Sequence, residues 1–261
     1  KVVQRGPGGD LPYKIRYMGI YLAVETRSGM VVSWDRKTSV FIRLHQEYKG
    51  RVCGLCGNFD DNALNDFTTR SQSVVGDALE FGNSWKFSPS CPDAQAPKDP
   101  CAANPYRKPW AQKQCSIVNS ATFRACRSQV DSTRYYEACV SDACACDSGG
   151  DRECFCTAVA AYAQACHEAG VCVSWRTPDV CPLFCDYYNP QGECEWHYQP
   201  CGAPCLRTCR NPSGHCLMDL PGLEGEGRQW NHCPKGRGVS WNPVPNALHL
   251  HQHCGSALHH R

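Results

Sequence analysis

The stretch Cys53-Gly-Leu-Cys-Gly-Asn-Phe-Asp-Asp-Asn-Ala-Leu-Asn-Asp66 sets a CxxC pair directly before a loop of short oxygen-bearing side chains. Cys53 and Cys56 can exchange or lock disulfides, while Asn58, Asp60, Asn62, Asn65 and Asp66 offer hard oxygens at the close spacing that a calcium loop needs. Asn58, Asp60 and Asn62 stand at alternate positions, the carbonyl of Leu64 follows, and Asn65 and Asp66 close a set of roughly six or seven oxygens. This is not an EF-hand, because Ala63 stands where the sharp turn requires glycine and no glutamate closes the loop. The competing reading is an Asx-rich turn that satisfies its own backbone. For the CxxC pair the competing reading is redox exchange, which needs a helix start after a strand. Gly57-Asn58-Phe59-Asp60 is loop composition instead, and the adjacent carboxylates raise a thiol pKa. Each cysteine is therefore expected to form a structural bridge to a distant partner.

Cysteine use sets the compartment. The chain has 261 residues and 22 cysteines, about 8%, close to the level of disulfide scaffolds. A reducing cytosol would remove such staples, so the sequence implies a secreted, extracellular protein whose core is divided among small bridged modules. The formal net charge of +2 comes from interspersed Lys, Arg, Asp and Glu, which leaves no footprint for nucleic acid. No run approaches the length of a membrane span, and Lys1-Val-Val-Gln-Arg-Gly-Pro7 is no signal peptide, so a leader is expected upstream.

Upstream of the loop, residues 13–26, 30–35 and 38–48 are rich in β-branched and aromatic side chains and are separated by Arg27-Ser28-Gly29 and Asp35-Arg36-Lys37. That pattern predicts antiparallel hairpins. In the third run Val40, Ile42 and Leu44 make one face aliphatic and Phe41, Arg43 and His45 make the other mixed, as in a sheet packed on one side. Downstream, residues 81–87 read as a short returning strand. Pro89, Pro92, Pro97, Pro100, Pro105 and Pro109 mark a linker. From Cys115 the pattern becomes helical, most clearly over residues 157–169, where Ala158, Val159, Tyr162, Ala163 and Cys166 share a face, Thr157 caps the start and Gly170 suits the C′ position. Beyond about Cys185 periodicity fades into Pro, Gly, Asn and further cysteines, and residues 226–261 have a composition that predicts poor order.

Several long motifs in order resemble a known assembly. They are CGLCGNFDDNALNDF, FGNSWK, the block from YYEACVSDACACDSGG through CFCTAVAAYAQAC to VSWRTPDVCP, and CEWHYQPCGAPCLRTC. These resemble, in turn, the von Willebrand factor type D module, the eight-cysteine module and the trypsin-inhibitor-like module of secreted gel-forming mucins, over residues 11–225. The resemblance implies a disulfide-rich α+β fold. An antiparallel β type D module spans 1–90, a Pro-rich linker 91–112, a helical eight-cysteine module 113–187 and an irregular cysteine-rich module 188–225, with an unmatched His-rich tail at 226–261.

The resemblance further implies a non-enzymatic function, the disulfide-linked multimerisation of a mucus gel, with the chain as a homo-oligomer that also joins other mucin chains or extracellular proteins. By motif position the inter-subunit disulfides fall on Cys154 and Cys194. The family's calcium loop falls on Asn58, Asp60, the carbonyl of Leu64, Asn65 and Asp66. Three departures stand out. Arg152 occupies the place of a cysteine, so the partner expected for Cys146 is missing. Glu226 replaces another cysteine, and the type D module starts late, without its opening strands and an upstream aspartate that helps hold calcium.

Other chemistries are weaker. Cys144-Ala-Cys146 and Cys154-Phe-Cys156 are spaced CxC rather than the CxxC usual for zinc, and so are expected as bridges. His249, His251, His253, Cys254, His259 and His260 form a metal-capturing cluster in composition only. His45, His167 and His197 could titrate along the secretory route, although solvated surface histidines explain them equally. No nucleophile elbow, zincin or nucleotide-binding motif is present. The two rival functions are a protease inhibitor built on the last module and a CxxC disulfide oxidoreductase.

Overall fold

A computed structural model describes residues 12–18, 21–37, 39–96, 98–146, 151–182, 196–202 and 222–228. The first hairpins form as expected. Strands β1 (Tyr13–Met18), β2 (Tyr21–Thr26), β3 (Met30–Trp34) and β4 (Val40–Leu44) make one antiparallel sheet in sequential order. The β2–β3 and β3–β4 turns are set by side chains. At the β2–β3 turn, the Thr26 hydroxyl oxygen accepts from the Met30 amide at 3.0 Å, and Gly29 takes a positive φ of 86° with its α-carbon against His45. At the β3–β4 turn Asp35 Oδ1 accepts from the amides of Lys37 and Ser39.

The sheet is packed on one side, but on the mixed face rather than the aliphatic one. Tyr21, Ala23 and Val31 are buried, with Phe41 packed against them and Leu223 as their cover. Ladder register carries the opposite face across all four strands as Ile15, Val24, Val32 and Ile42. On that face Ile15 and Ile42 are each 56% exposed. Period two places the aliphatic residues together; which face is covered depends on what the rest of the chain brings to it.

The stretch expected as a returning strand is a helix, α1 (Ala78–Ser84). Asp77 overrides the aromatic content by accepting from the amides of Leu79 and Glu80, a strong N-cap, and Phe81 is buried and stacked on Phe67 at 4.9 Å. The Pro-rich stretch is likewise not a free linker from Asp99 onward. It forms α2 (Pro100–Ala103) and α3 (Lys108–Cys115), each with proline in its first turn, where the missing amide costs nothing. Cys101 is bonded to Cys144, and the buried Arg107 donates from Nε and Nη2 to the Ala143 carbonyl at 3.1 and 2.9 Å.

Three further helices complete this module: α4 (Arg124–Arg127), α5 (Thr133–Ala145) and α6 (Asp151–Glu168). Helix α6 starts earlier than expected, so Thr157 lies inside it instead of capping it. The predicted face is correct: Val159, Tyr162 and Cys166 are fully buried, and Ala158 and Ala163 pack beside them. Gly170 ends the helix with a positive φ of 84°. Five disulfides lie within the helical module, joining Cys101 to Cys144, Cys115 to Cys139, Cys126 to Cys166, Cys146 to Cys154 and Cys156 to Cys181. A sixth ties Cys172 to Cys201. There β5 (Trp196–Gln199) pairs with β6 (Gly225–Arg228), so the first residues of the expected disordered tail belong to a strand.

Candidate assembly and calcium-binding sites

The 58–66 loop is organised around Asp60. Its Oδ2 accepts from the side-chain amides of Asn58 at 3.0 Å and Asn65 at 2.8 Å, and its Oδ1 accepts from the Asn62 amide at 2.8 Å. These bonds, with that from Asn65 first among them, hold its carboxyl below the usual carboxylate range. Asn62 in turn accepts from the Leu64 amide, and the Leu64 side chain is 88% exposed. Of Leu64 only the backbone carbonyl has the chemistry to hold a hard cation. Gly57, at φ 85°, brings the backbone against the Asp66 carboxylate so closely that a Cβ there would collide with it. The sequence-derived oxygen set is thus brought into one loop.

One atom stands apart. Asn65 Oδ1 is buried and accepts no hydrogen bond, an orphan of the kind that a cation relieves at little cost. Among the described residues no group of three or more His, Cys, Asp and Glu side chains gathers. A cation here would rely on amide and carbonyl oxygens beside Asp60 and Asp66, which suits a hard ion and not zinc. The four cysteines that a CxC zinc site would use are all consumed in disulfides.

The bridges expected from Cys53 and Cys56 are not formed. Both are unbonded and exposed, as is Cys91, while every other described cysteine already has a partner. Neither Cys53 nor Cys56 lies in a helix or a strand, so the CxxC lacks the helix start that lowers a thiol pKa in exchange enzymes. Cys154, expected as a linking thiol, is bonded to Cys146 in this structure. Cys154 is the next cysteine along the chain after Cys146. Cys194 lies outside the described residues.

A polar cluster that the sequence did not announce joins three parts of the chain. Arg176 makes a bidentate pair with Glu224, Nε to Oε1 and Nη2 to Oε2, each 2.8 Å. Its Nη1 donates to the Cys181 carbonyl at 3.0 Å, and its guanidinium lies 4.3 Å from the centroid of the buried Trp175 ring. Tyr198 donates its hydroxyl to Glu224 Oε1 at 2.7 Å. Burial, followed by the Glu224 charge, pushes the hydroxyls of both Tyr21 and Tyr198 far above the ordinary tyrosine value. Glu224 is 5% exposed and directly follows Leu223, the residue that covers the sheet. The signal present in the sequence was the VSWRTPDVCP motif, which contains Arg176 but says nothing of its meeting Glu224. Ion pairs of Lys37 with Glu153 and of Arg43 with Glu168 add a second contact between sheet and helices.

Comparison with known proteins agrees with this architecture. Family models match for the von Willebrand factor type D domain over residues 10–73, the C8 domain over residues 114–182 and the Otogelin-like/Mucin TIL domain over residues 194–240. The last of these reaches beyond the boundary at 225 that the motifs suggested. The chain thus carries these three domains in that order. It is 85% identical over 225 residues to Mucin-5B and 73% identical to Mucin-5AC, both of Homo sapiens, covering 86% of this chain in each case. It is 54% identical over 239 residues to human Mucin-2. The chain spans about 4% of the length of these three relatives. The six disulfides among the described residues require an oxidising environment, as in a secreted protein. Among the described residues no helix is long and apolar enough to cross a membrane.

Proposed function

We propose that the chain is a non-enzymatic assembly unit of an extracellular mucin gel, joining other copies and other mucin chains through inter-subunit disulfides. The observation that carries this reading is how sulfur is distributed. Every described cysteine of the helical module is bonded within the chain, and most of these sulfurs are buried, while Cys53, Cys56 and Cys91 stay exposed and unbonded. A brace stabilises one fold, and an accessible sulfur is what a second chain can reach. Cys154 and Cys194 are the two positions proposed to link subunits, Cys154 once it is released from Cys146. Mass determination before and after reduction tests this. Covalent oligomers that collapse to the 29.0 kDa chain on reduction are expected; a monomer under both conditions, at secretory concentrations and mild oxidation, rejects it.

Calcium is proposed as the ion of the 58–66 loop, held by Asn58, Asp60, the Leu64 carbonyl, Asn65 and Asp66. Its contribution would be structural: it neutralises the clustered oxygens and gives Asn65 Oδ1 a partner. Calorimetric titration with calcium should show one site on the unaltered chain and none on Asp60→Ala. Equal heats from the two proteins would reject the site.

A further inference from the structure

The six disulfides among the described residues differ in where their sulfurs sit. Cys115, Cys126, Cys139, Cys144 and Cys166 are fully buried, so three of the bonds are closed to an incoming thiol. The Cys156–Cys181 bond has one end buried, at Cys181. Two bonds have neither end buried: Cys146–Cys154 is half-buried at both ends, and Cys172–Cys201 is exposed at Cys172.

These two accessible bonds are not equivalent. Cys146 is the C-cap of α5 and Cys154 lies in the first turn of α6, an 18-residue helix. The free amides and positive end of a helix stabilise a thiolate at its start. That first turn carries two acidic residues, Asp151 and Glu153, and one basic residue, Arg152; Glu153 is paired with Lys37 at 2.9 Å, and the Arg152 guanidinium donates to the Asp179 carbonyl. Cys172 and Cys201 lie outside helices, so neither has such an end to stabilise it. In thiol–disulfide exchange the sulfur that leaves is the one whose thiolate is more stable.

We propose that the Cys146–Cys154 bond is a directional clasp on the linking cysteine, opened by a small-molecule or cysteinyl thiolate that attacks Cys146 and expels Cys154. The bond between the incoming sulfur and Cys146 forms as the Cys146–Cys154 bond breaks. The electron pair leaves on Cys154, the proton shed by the incoming thiol stays in solvent, and no net oxidation occurs. The released Cys154 thiolate is then a nucleophile toward a disulfide of a second copy, by a further exchange that returns a thiol and needs no oxidant. Arg152, standing where the resemblance places a cysteine, leaves this chain with a clasp that must open before Cys154 can link. That consequence rests on the proposed assembly function; the polarity of the clasp does not.

The test treats the full, natively folded chain with reduced glutathione under conditions that leave the buried bonds intact, traps free thiols by alkylation and maps the adducts by peptide mass spectrometry. The expected result is glutathione on Cys146 and alkylation on Cys154, favoured by about threefold over the reverse arrangement and opening before Cys172–Cys201. Equal or reversed labelling, prior opening of Cys172–Cys201, or an intact Cys146–Cys154 bond overturns the proposal. The adducts are read whether or not oligomers form, so failure of the clasp and failure of the assembly reading are separable. As a second measurement, Cys146→Ser leaves Cys154 without its intrachain partner, and alkylation at Cys154 without added glutathione should exceed that of the unaltered chain by about tenfold or more. Unchanged labelling counts against the clasp.

Discussion

The helical module and the four-stranded sheet solve the same problem with different means. The helices bury Val118, Phe123, Val159, Tyr162 and Trp175 together with the sulfurs of their own disulfides, so that module contains its interior. Among the described residues the apolar side chains that the sheet buries from its own strands are Tyr21, Ala23 and Val31, and their cover, Leu223, arrives from far along the chain, held in place by the Arg176–Glu224 pair. Stability in the first is local and covalent. In the second it is borrowed from a distant segment through one buried ion pair, whose partners cannot be removed singly without leaving a buried charge.

The strongest way to break that contrast is to attack both interiors. Tyr162→Ala removes a fully buried ring that stacks near Phe123 and Tyr135 and donates its hydroxyl to the Val130 carbonyl. It should cost about 3–5 kcal/mol in denaturant unfolding of the helical module. Glu224→Ala leaves Arg176 buried without its carboxylate, a loss of about 3–5 kcal/mol. Its signature is local, though: hydrogen exchange should quicken in β2 and β3 while α5 and α6 keep their protection. If exchange quickened equally in the helices, the two regions would be one cooperative unit and the contrast would fail.

Leu223→Ala sharpens the same point with charge left intact. It should cost about 2–3 kcal/mol, again read in the sheet amides. The smallest effect concerns the loop. The Asp60 carboxyl is held below its ordinary value of 3.8 by the Asn65, Asn62 and Asn58 bonds. Those bonds therefore stabilise the loop fully above that value and are lost as pH falls through the lower value of the folded state. An NMR titration should show Asp60 losing its charge at a lower pH than a free aspartate, and Asn65→Ala should move it back upward. No upward movement would mean that the Asn65 amide is not the main cause.

Much of this was legible from residue order alone. Alternation fixed the strands, Gly29 and Asp35 marked their turns, and the face of α6 followed from Ala158, Val159, Tyr162, Ala163 and Cys166. The failures have a common physical origin. Residues 81–87 look strand-like by composition, but Asp77 supplies a cap that composition cannot weigh. The prolines of residues 100–109 read as a linker, although proline in the first turn starts a helix as readily as it ends one. The residues of the oxygen-rich loop were legible as a cluster because their spacing is local. The orphaned Asn65 oxygen was not, since burial is a property of the surroundings.

The sequence by itself determined the periodicities, the oxygen-rich loop, the oxidising environment and the order of the modules, because each is written in neighbouring residues or in simple counts. Tertiary structure alone decided which sulfurs meet, which face of the sheet is covered, and that Arg176, Tyr198 and Glu224 form one latch. Those depend on distances between segments far apart in the chain, and chain spacing carries no information about which of several compatible partners comes within reach.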